Sequence, residues 1–597
     1  MRTAETVLSI MRERGQRGLP LERLYRQLYN PSLYLCAYGK LYANKGAMTP
    51  GVTPETVDGM SLTKIGTIIK ALRQECYRWT PVRRTYIPKG NGKRRGLGMP
   101  TWSDKLLQEA IRQLLEAYYE PQFSIHSHGF RPGRGCHTAL QEITGHWRGV
   151  KWFIEGDIRA CFDRIDHTVL LNILRENIHD NRFIRLIDNL LRAGYLEEWY
   201  YNNTYSGVPQ GGIVSPILSN LVLDRLDKFV EQTLIPAYTR GLRRKTNPPY
   251  VALTKAAWQA RKAGNLDAAR RHSQQAQTMP SREPNDPNFR RLWYCRYADD
   301  FLLGFAGPKA EAKEIKHQLT VFLRDELKLE LGEEKTLVTH ARTKTARFLG
   351  YDIHTLHADD KHDYRGQRCI NGHIGLRVPE RVIQAQCAKY MRHGKPIHFM
   401  QRVNDDAYSI VAQYQAEYRG VVQYYRLAYN LHRLSQLKWV AETSLTKTLA
   451  KKYKTSRSKI YRRFRALYQN EYGIYKVLEV TVDRGLHKTP LVARFGGIPL
   501  RWNRWAAIND RTTIPIWSKR SEVVERLLAQ KCELCGTEDN IEVHHIRKLA
   551  DLERKGQGDK RKWVKVMAAR RRKSLVVCQR CHNDIHYGRY DGPAFSK

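Results

Sequence analysis

Short apolar runs that adjoin carboxylates are the clearest pattern along this chain. One run begins at Trp152, reaches Asp157 and is followed by a turn. A second run, residues 301–305, directly follows Asp299 and Asp300. A helical repeat of apolar residues lies after the first run, at Leu170, Leu171, Ile173 and Leu174. The pattern predicts two buried strands whose ends carry three carboxylates, with an amphipathic helix after the first strand.

Turn residues and longer helical patterns divide the rest of the chain. A Gly-Asn-Gly tip predicts a β-hairpin over residues 86–97. Residues 234–292 form a basic, Pro-interrupted and partly helical insertion, and helical patterns run over residues 379–430. A strongly basic helix is predicted within residues 447–465. The 597 residues are enough for several domains with a substantial core.

Basic residues greatly outnumber acidic ones. The chain has 102 Lys and Arg against 59 Asp and Glu, a formal net charge of +43, spread along the sequence. Such an excess favours a partner dense in phosphate over a small acidic substrate, which needs only a few cations. The sequence contains no run of about 18 apolar residues, so no membrane span is predicted, and its first residues carry no apolar signal-peptide core. We therefore expect a nucleic-acid-binding protein of the cell interior.

The three carboxylates predict a metal site. Unpaired buried charge is costly, so the adjacent Asp299 and Asp300 are expected to hold a cation, and hard oxygen ligands suit Mg²⁺. Nucleotidyl transfer uses two such ions, roughly 3.5–4 Å apart, held by carboxylates from different strands. Asp157, Asp299 and Asp300 would supply that clamp, with Asp157 and Asp299 as direct ligands of both ions. A chance Asp-Asp pair in a β-turn is the alternative.

Other blocks accompany the carboxylates in a defined order. The hairpin of residues 86–97 places four cations beside a flexible turn, which suits a triphosphate and template phosphates; a charged surface hairpin is the alternative. Residues 129–135 form a Gly/Arg loop suited to a nucleic-acid backbone. The paired glycines of residues 207–216 permit close backbone approach, and residues 348–351 contain a last Gly turn. Together with the Tyr-x-Asp-Asp sequence of residues 297–300, these blocks resemble the motifs of reverse transcriptases.

That resemblance implies a fold and assigns roles. It implies a right-hand polymerase, with fingers and palm around an antiparallel sheet and a helical thumb. Phe162 would be the steric gate beneath the incoming sugar, with a core aromatic as the alternative, and residues 348–351 would grip the primer end. The metal-binding positions would be Asp157, Ile158, Asp299 and Asp300. The residues expected to contact nucleotide or template are Lys89, Arg95, Ile158, Arg159, Ala160, Phe162 and Gln210.

Four of the eleven cysteines form two Cys-x-x-Cys pairs near the end of the sequence. Paired knuckles of this kind are a signal of structural zinc, which four thiolates hold in a closed site. Such an ion would staple a small domain rather than catalyse a reaction, and a redox pair is the alternative. The expected zinc ligands are Cys532, Cys535, Cys578 and Cys581.

Histidines lie between and after these knuckles. His544 and His545 are adjacent in a predicted strand, whereas His582 and His586 are four residues apart and share a helix face. With the knuckles, they resemble the HNH (ββα-metal) nuclease module. The resemblance implies that His544, His582 and His586 hold a catalytic divalent ion and that His545 is the general base. The family usually carries an Asn near the position of Ser574, and a structural zinc module that binds DNA is the alternative.

The whole arrangement resembles group II intron-encoded proteins. Residues 41–46 and 57–59 also resemble that family's block before the fingers. The resemblance implies a multidomain α+β protein that ends in a small zinc-stapled HNH domain. The expected boundaries are 1–60 for an N-terminal extension, 61–375 for fingers and palm with the insertion 234–292, 376–480 for a helical thumb and maturase domain, 481–525 for a DNA-binding linker and 526–597 for the HNH endonuclease.

The resemblance also implies partners and a cycle. The partners would be group II intron RNA, a double-stranded DNA target and dNTPs, with no membrane, in the bacterial cytoplasm and on the nucleoid when active. Arg462 and Arg463 belong to cations interleaved with tyrosines, which suit structured RNA; core tyrosines and solvated charges are the alternative. The ribonucleoprotein would assist splicing, reverse-splice into one DNA strand, cleave the other and copy the intron from the new 3′ end. Two alternatives are a splicing cofactor with vestigial enzymatic sites and a defence-type or domesticated reverse transcriptase.

Overall fold

The structure is a computed structural model, and it describes most of the chain. The described residues are 2–44, 46–88, 92, 94–209, 211–332, 334, 336–364, 368–483, 489–506, 522–546, 563–564, 567, 573–587 and 589. Two residues expected to contact nucleotide or template, Lys89 and Gln210, lie outside these ranges, as do residues 507–521 of the expected DNA-binding linker.

The N-terminal part is helical and leads into the hairpin of the fingers. Its elements are α1 (Ala4–Gln16), α2 (Leu24–Gln27), α3 (Pro31–Leu41), α4 (Leu62–Arg73), β1 (Val82–Pro88), β2 (Arg94–Met99) and α5 (Trp102–Tyr119). The side chains of Asn30, Ser61 and Thr101 accept backbone N–H groups at the starts of α3, α4 and α5, which fixes where these helices begin. β1 and β2 pair antiparallel, so the predicted hairpin is confirmed on both sides of its tip.

The palm follows, with the basic insertion inside it. Its elements are α6 (Cys136–His146), β3 (Trp152–Asp157), α7 (Cys161–Arg164), α8 (His167–Asn177), α9 (Asn181–Leu191), β4 (Tyr195–Glu197), β5 (Tyr200–Asn202), α10 (Ser215–Phe229), α11 (Ile235–Ala237), α12 (Pro248–Lys262), α13 (Leu266–Gln277), β6 (Arg291–Tyr297), β7 (Asp300–Ala306), α14 (Lys309–Asp325) and β8 (Val338–His340). The palm sheet has the order β6-β7-β3-β8 and is antiparallel. As predicted, β3 ends at Asp157 and an amphipathic helix, α8, comes after it.

The thumb combines helices with a sheet. The elements after the palm are β9 (Ala346–Phe348), β10 (Tyr351–Thr355), β11 (Ile374–Arg377), α15 (Glu380–Ala388), β12 (Met391–Arg392), β13 (Lys395–Pro396), α16 (Ala407–Tyr424), α17 (Ser435–Lys452), α18 (Arg457–Phe464), β14 (Arg465–Asn470), β15 (Gly473–Val482) and β16 (Leu491–Phe495). The last three strands form one antiparallel sheet, against which α16 packs.

Two expectations for this region need correction. The boundary expected at residue 480 falls inside β15, where Val480 faces Ala493 of β16, so the module continues to at least Phe495. The single basic helix expected over residues 447–465 is two helices, because the chain breaks after Tyr453 and Ser456 caps α18. The core interpretation holds for three of the tyrosines, since Tyr414, Tyr418 and Tyr425 are buried, at 0%, 2% and 7% exposure.

The C-terminal module has a ββα arrangement and packs on the N-terminal extension. Its elements are α19 (Glu522–Leu528), β17 (Ile541–His545), β18 (Ser574–Cys578) and α20 (Gln579–His586). The Gly59 N–H donates to the Val543 carbonyl at 3.0 Å, and the Val543 N–H donates to the Met60 carbonyl at 2.9 Å. One hydrophobic core therefore runs from the extension and the palm into this module, while a second core joins the palm edge to the thumb. Among the described helices, none has the length and apolar character that crossing a bilayer requires.

Candidate polymerase and endonuclease centres

The palm sheet brings the three predicted carboxylates to one edge. Asp157 at the end of β3 faces Asp300 at the start of β7 across the antiparallel ladder. Asp299 lies in the turn between β6 and β7, and its carbonyl accepts the Ile158 N–H at 3.3 Å. Ile158 has a buried side chain, so it can contribute to this site only through its backbone. Oxygen donors from two adjacent strands and a turn fit divalent cations, and the role of each residue stays a prediction.

A buried ion pair supports the turn that carries Asp299. The Arg296 guanidinium donates to both carboxylate oxygens of Asp227 in α10, at 2.7 and 2.6 Å, and both side chains are fully buried. Arg296 also donates to the Ala298 carbonyl at 2.9 Å, and the Tyr294 hydroxyl donates to Asp227 at 2.7 Å. Sequence reasoning missed this pair, because Asp227 is 69 residues away along the chain and nothing local marks it.

We expect the substitution Arg296→Met to lower the free energy of unfolding by about 3–5 kcal/mol, because it leaves Asp227 buried without a countercharge. The measurement is urea unfolding followed by tryptophan fluorescence. The double substitution Arg296→Met with Asp227→Asn should regain much of the loss, since the buried charge is then removed while an acceptor for Tyr294 is kept. A double variant as unstable as the single one would contradict this explanation.

Two glycines allow the close packing around the same turn. A Cβ atom at Gly129 would lie 2.2 Å from the Ala298 nitrogen, and one at Gly156 would lie 2.1 Å from the Phe301 ring. The Gly129 loop is the one expected to contact nucleic acid. Its Arg131 is instead 4% exposed and donates to Glu120 and to backbone carbonyls, so this arginine braces the loop from inside the protein.

The residues expected near the nucleotide surround the turn after β3. Phe162 is half-buried, and its ring centroid is 6.0 Å from that of Phe130. Its carbonyl accepts the Val208 N–H at 2.7 Å, which places the glycine-rich block of residues 207–216 beside it. Ala160 has a φ of 48°, and Arg159 and Arg95 are exposed. These positions are accessible to a nucleic acid, and their contacts with it stay predictions.

The thumb holds the turn expected to grip the primer. Leu349 and Gly350 have φ values of 49° and 73°, the left-handed backbone of a tight hairpin between β9 and β10. The Tyr424 hydroxyl donates to the Leu349 carbonyl at 2.8 Å, and the Tyr425 hydroxyl donates to the Gly350 carbonyl at 3.1 Å. Burial raises the pKa of both hydroxyls, so both remain neutral donors. Because these tyrosines lie at the C-terminal end of α16, their hydrogen bonds attach this turn to the thumb.

We expect the double substitution Tyr424→Phe with Tyr425→Phe to shorten the cDNA made per binding event several-fold. Each lost hydrogen bond costs about 1 kcal/mol, and a looser turn would let the primer end leave its position more often. The measurement is primer extension with a trap that prevents rebinding. Tyr587→Phe, at an exposed tyrosine of the C-terminal module, is the control, and equal product lengths in all proteins would contradict the role of the turn.

The four cysteines of the two knuckles converge. All four sulfur atoms lie within 4.8 Å of one another, and the Sγ atoms of Cys535 and Cys578 are 3.7 Å apart. The backbone N–H groups of Cys535 and Cys581 donate to the sulfurs of Cys532 and Cys578. Sulfurs about 2.3 Å from a tetrahedral zinc ion would be about 3.8 Å apart, so the donor set fits that ion.

The three histidines expected to hold a divalent ion also converge. His582 Nε2 and His586 Nε2 are 3.1 Å apart, and the His544 ring centroid is 5.1 and 5.2 Å from the centroids of these rings. Glu542 lies 2.7 Å from His582 Nδ1, which leaves Nε2 free to face the centre. Sequence reasoning missed a fourth member, Asp58, whose only signal was its place in the block before the fingers. Its carboxylate lies within 4.8 Å of all three histidine ligand atoms.

Charge is strongly coupled in this cluster. Burial alone would lower the pKa of His582, but hydrogen bonds to Asp58 and Glu542 raise it to about 9. Burial would likewise raise the pKa of Asp58, but its contacts with His544 and His582 hold it well below its usual range. The Asp58 carboxylate and the His582 imidazole therefore each favour the charged form of the other.

His545 faces away from the other three histidines. Its Nε2 is 2.9 Å from the Tyr38 hydroxyl of α3, and burial lowers its pKa to about 3. Ser574 faces His545 across the β17–β18 ladder and accepts a hydrogen bond from Arg526 at 2.8 Å. A neutral imidazole has the protonation state of a general base, but here its ring nitrogen is engaged by Tyr38. The catalytic role of His545 stays a prediction.

The palm sheet, the thumb and the ββα module with its cysteine cluster define a reverse transcriptase joined to an HNH nuclease. Three families match in that order: reverse transcriptase (RNA-dependent DNA polymerase) over residues 87–353, type II intron maturase over residues 377–495 and AI2M/AI1M-like HNH endonuclease over residues 532–582. The group II intron-encoded protein LtrA of Lactococcus lactis subsp. cremoris is 38% identical over 584 residues, covering 94% of this chain and 95% of that protein. The chain belongs to the group II intron-encoded proteins, and the resemblance drawn from its sequence is confirmed. Its roles are those of a reverse transcriptase, a splicing factor and an endonuclease.

Other relatives cover different shares of the chain. The putative COX1/OXI3 intron 2 protein of Saccharomyces cerevisiae is 31% identical, covering 96% of this chain and 67% of that protein. Protein YkfC of Escherichia coli is 33% identical over 350 residues, covering 56% of this chain and 84% of that protein.

Proposed function

We propose that the protein binds its own group II intron RNA, assists its splicing and then inserts the intron into double-stranded DNA by target-primed reverse transcription. The supporting observation is that one chain carries both a palm carboxylate centre and a complete three-histidine centre. A nuclease that cuts the second DNA strand exposes a 3′-hydroxyl, and a polymerase on the same protein can extend it. We place this cycle in the bacterial cytoplasm, on the nucleoid during insertion.

In the polymerase centre, Asp157, Asp299 and Asp300 would hold two Mg²⁺ ions. Such ions activate the primer 3′-hydroxyl and neutralise the leaving pyrophosphate. The protein would position the reacting groups: the buried Arg296 holds the turn that carries Asp299, and Phe162 would lie beneath the incoming sugar. The cationic side chains of Lys89 and Arg95 would bind triphosphate or template, and Gln210 would contact the nucleotide or template.

In the nuclease centre, His544, His582 and His586 would hold one divalent ion. When bound, that ion would polarise a DNA phosphodiester, and His545 would take the proton of the attacking water. Zn²⁺ in the cysteine cluster would keep β17, β18 and α20 in register. Splicing assistance needs no protein chemistry, since the RNA is the catalyst. The exposed Arg462 and Arg463 of α18 would form part of the surface that holds the RNA.

The test reconstitutes the purified protein with its intron RNA and measures three reactions separately. These are splicing at low Mg²⁺, cleavage of an end-labelled DNA duplex and cDNA synthesis from the cleaved strand. We expect all three. Splicing without cleavage or cDNA would favour a splicing cofactor with vestigial sites, and cDNA synthesis without any effect on splicing would favour a defence-type or domesticated enzyme.

A further inference from the structure

The histidine centre contains a carboxylate from the opposite end of the chain. Asp58 Oδ1 lies 3.1 Å from His582 Nε2 and 3.5 Å from His544 Nδ1, and Asp58 Oδ2 lies 2.8 Å from His586 Nε2. The Asp58 side chain is only 15% exposed. Three imidazoles and one carboxylate therefore face a common point that lies between the N-terminal extension and the HNH module.

The donors are nearly as far apart as the ligands of a tetrahedral metal shell. Nitrogen and oxygen ligands about 2.0–2.2 Å from a tetrahedral ion are about 3.3–3.6 Å apart, close to the separations of 2.8 to 3.5 Å between Asp58 and the histidines. A second observation concerns His544. His544 is 4% exposed, and within the part of the chain that the structure describes neither of its ring nitrogens has a hydrogen-bond partner. A buried imidazole in this state is satisfied when an ion binds it.

The backbone delivers Asp58 to this point in a fixed register. Residues 58–60 lie along the edge of β17, and the His545 N–H donates to Asp58 Oδ1 at 2.7 Å. Gly59 has a φ of 74°, a conformation that favours glycine and turns the chain so that Met60 pairs with Val543. The strand that presents His544 thus also positions the carboxylate that faces it.

We propose that Asp58 is the fourth protein ligand of the endonuclease metal ion, and that it latches the HNH module closed on the N-terminal extension. The proposal rests on the proposed function of His544, His582 and His586. Catalytic sites keep one coordination position open, whereas four protein ligands close the shell. The buried contact of His545 with Tyr38 belongs to the same closed arrangement. When Asp58 leaves the metal ion, a phosphate oxygen of bound DNA takes the fourth coordination position.

The test uses the full-length protein with its cysteine cluster already filled by one equivalent of Zn²⁺. Co²⁺ is then titrated into the second site, because four-coordinate Co²⁺ absorbs visible light far more strongly than Co²⁺ with additional water ligands. We expect one strongly absorbing equivalent in the wild type. Asp58→Asn should bind Co²⁺ at least about tenfold more weakly and with weaker absorption. Asparagine keeps the Oδ1 acceptor for the His545 N–H, so this variant is expected to fold.

Hydrogen exchange measures the latch itself. Metal should slow exchange in residues 58–60 and 541–545 of the wild type and should not do so in Asp58→Asn. Asp539→Asn, at an exposed aspartate of the same module, is the matched control and should behave as wild type in every assay.

The outcomes separate this proposal from the proposed function. If His544→Ala loses the second Co²⁺ equivalent while Asp58→Asn binds it like wild type, Asp58 is no ligand and the proposal is overturned, whereas the three-histidine centre stands. If Asp58→Asn binds Co²⁺ weakly but metal still slows exchange in residues 58–60 and 541–545, Asp58 is a ligand without a latching role and the latch is overturned. If the wild type takes up no second equivalent, the proposed endonuclease centre itself fails.

Discussion

Asp299→Ala is expected to abolish cDNA synthesis, lowering the rate of primer extension on an RNA template by at least about a thousandfold. Asp299 lies in the turn between β6 and β7, beside Asp157 and Asp300. Ions held there stabilise developing charge by several kcal/mol, and each 1.4 kcal/mol is worth about a factor of ten in rate. The measurement is single-turnover extension of a labelled primer by purified wild type and variant.

The control for this substitution is Asp325→Ala, at an exposed aspartate that ends α14 and pairs with the adjacent Arg324. It should extend primers like wild type. Binding of intron RNA should be unchanged in Asp299→Ala, because the turn is held by the buried pair of Arg296 and Asp227. Extension by Asp299→Ala above about a tenth of the wild-type rate would be a loss of less than about 1.4 kcal/mol, well short of the several kcal/mol expected, and would argue against Asp299 as a ligand.

His544→Ala is expected to lower cleavage of the second DNA strand by at least about a hundredfold, the upper end of what disturbing a metal's surroundings costs. Its imidazole comes from β17 and faces the centre formed with His582 and His586. The measurement is cleavage of an end-labelled duplex by the protein–RNA complex. Extension of a primer already annealed to RNA should be unchanged, because the palm carboxylates are untouched.

His317→Ala, at an exposed histidine of α14, is the matched control for this loss and should cleave like wild type. Wild-type cleavage by His544→Ala would instead favour the alternative that the C-terminal module is a structural zinc unit that binds DNA. A loss of both cleavage and primer extension would point to unfolding rather than to a missing ligand.

The sequence predicted those parts of the fold that depend on contiguous residues. The strand that ends at Asp157, the hairpin of residues 86–97, and the helix face shared by His582 and His586 each follow from a local pattern of apolar, turn or ligand residues. Such patterns are read within about ten residues and need no knowledge of how the domains meet. The cysteine knuckles are of the same kind, since each supplies its own pair of ligands.

The missed features depend on contacts between distant residues. Asp58 Oδ1 accepts the backbone N–H of His545, 487 residues away, and Arg296 depends on Asp227 for its charge balance. The sheet after α18 was overlooked for another reason. The β-branched residues Val477, Val480, Thr481 and Val482 favour a strand, but the strongly basic helices before it dominate the local composition.

The backbone pairing of Met60 with Val543 also joins two segments that the ribosome makes at very different times. Met60 is fully buried in the finished protein, and its backbone partner follows 483 residues later. A ribosome adding about 5–20 residues per second needs roughly 25 to 100 s to make the intervening chain. During that interval the newly made extension has an uncovered apolar face. The extension thus leaves the ribosome well before the module that covers it, and a chaperone that shields it meanwhile would raise the yield of folded enzyme.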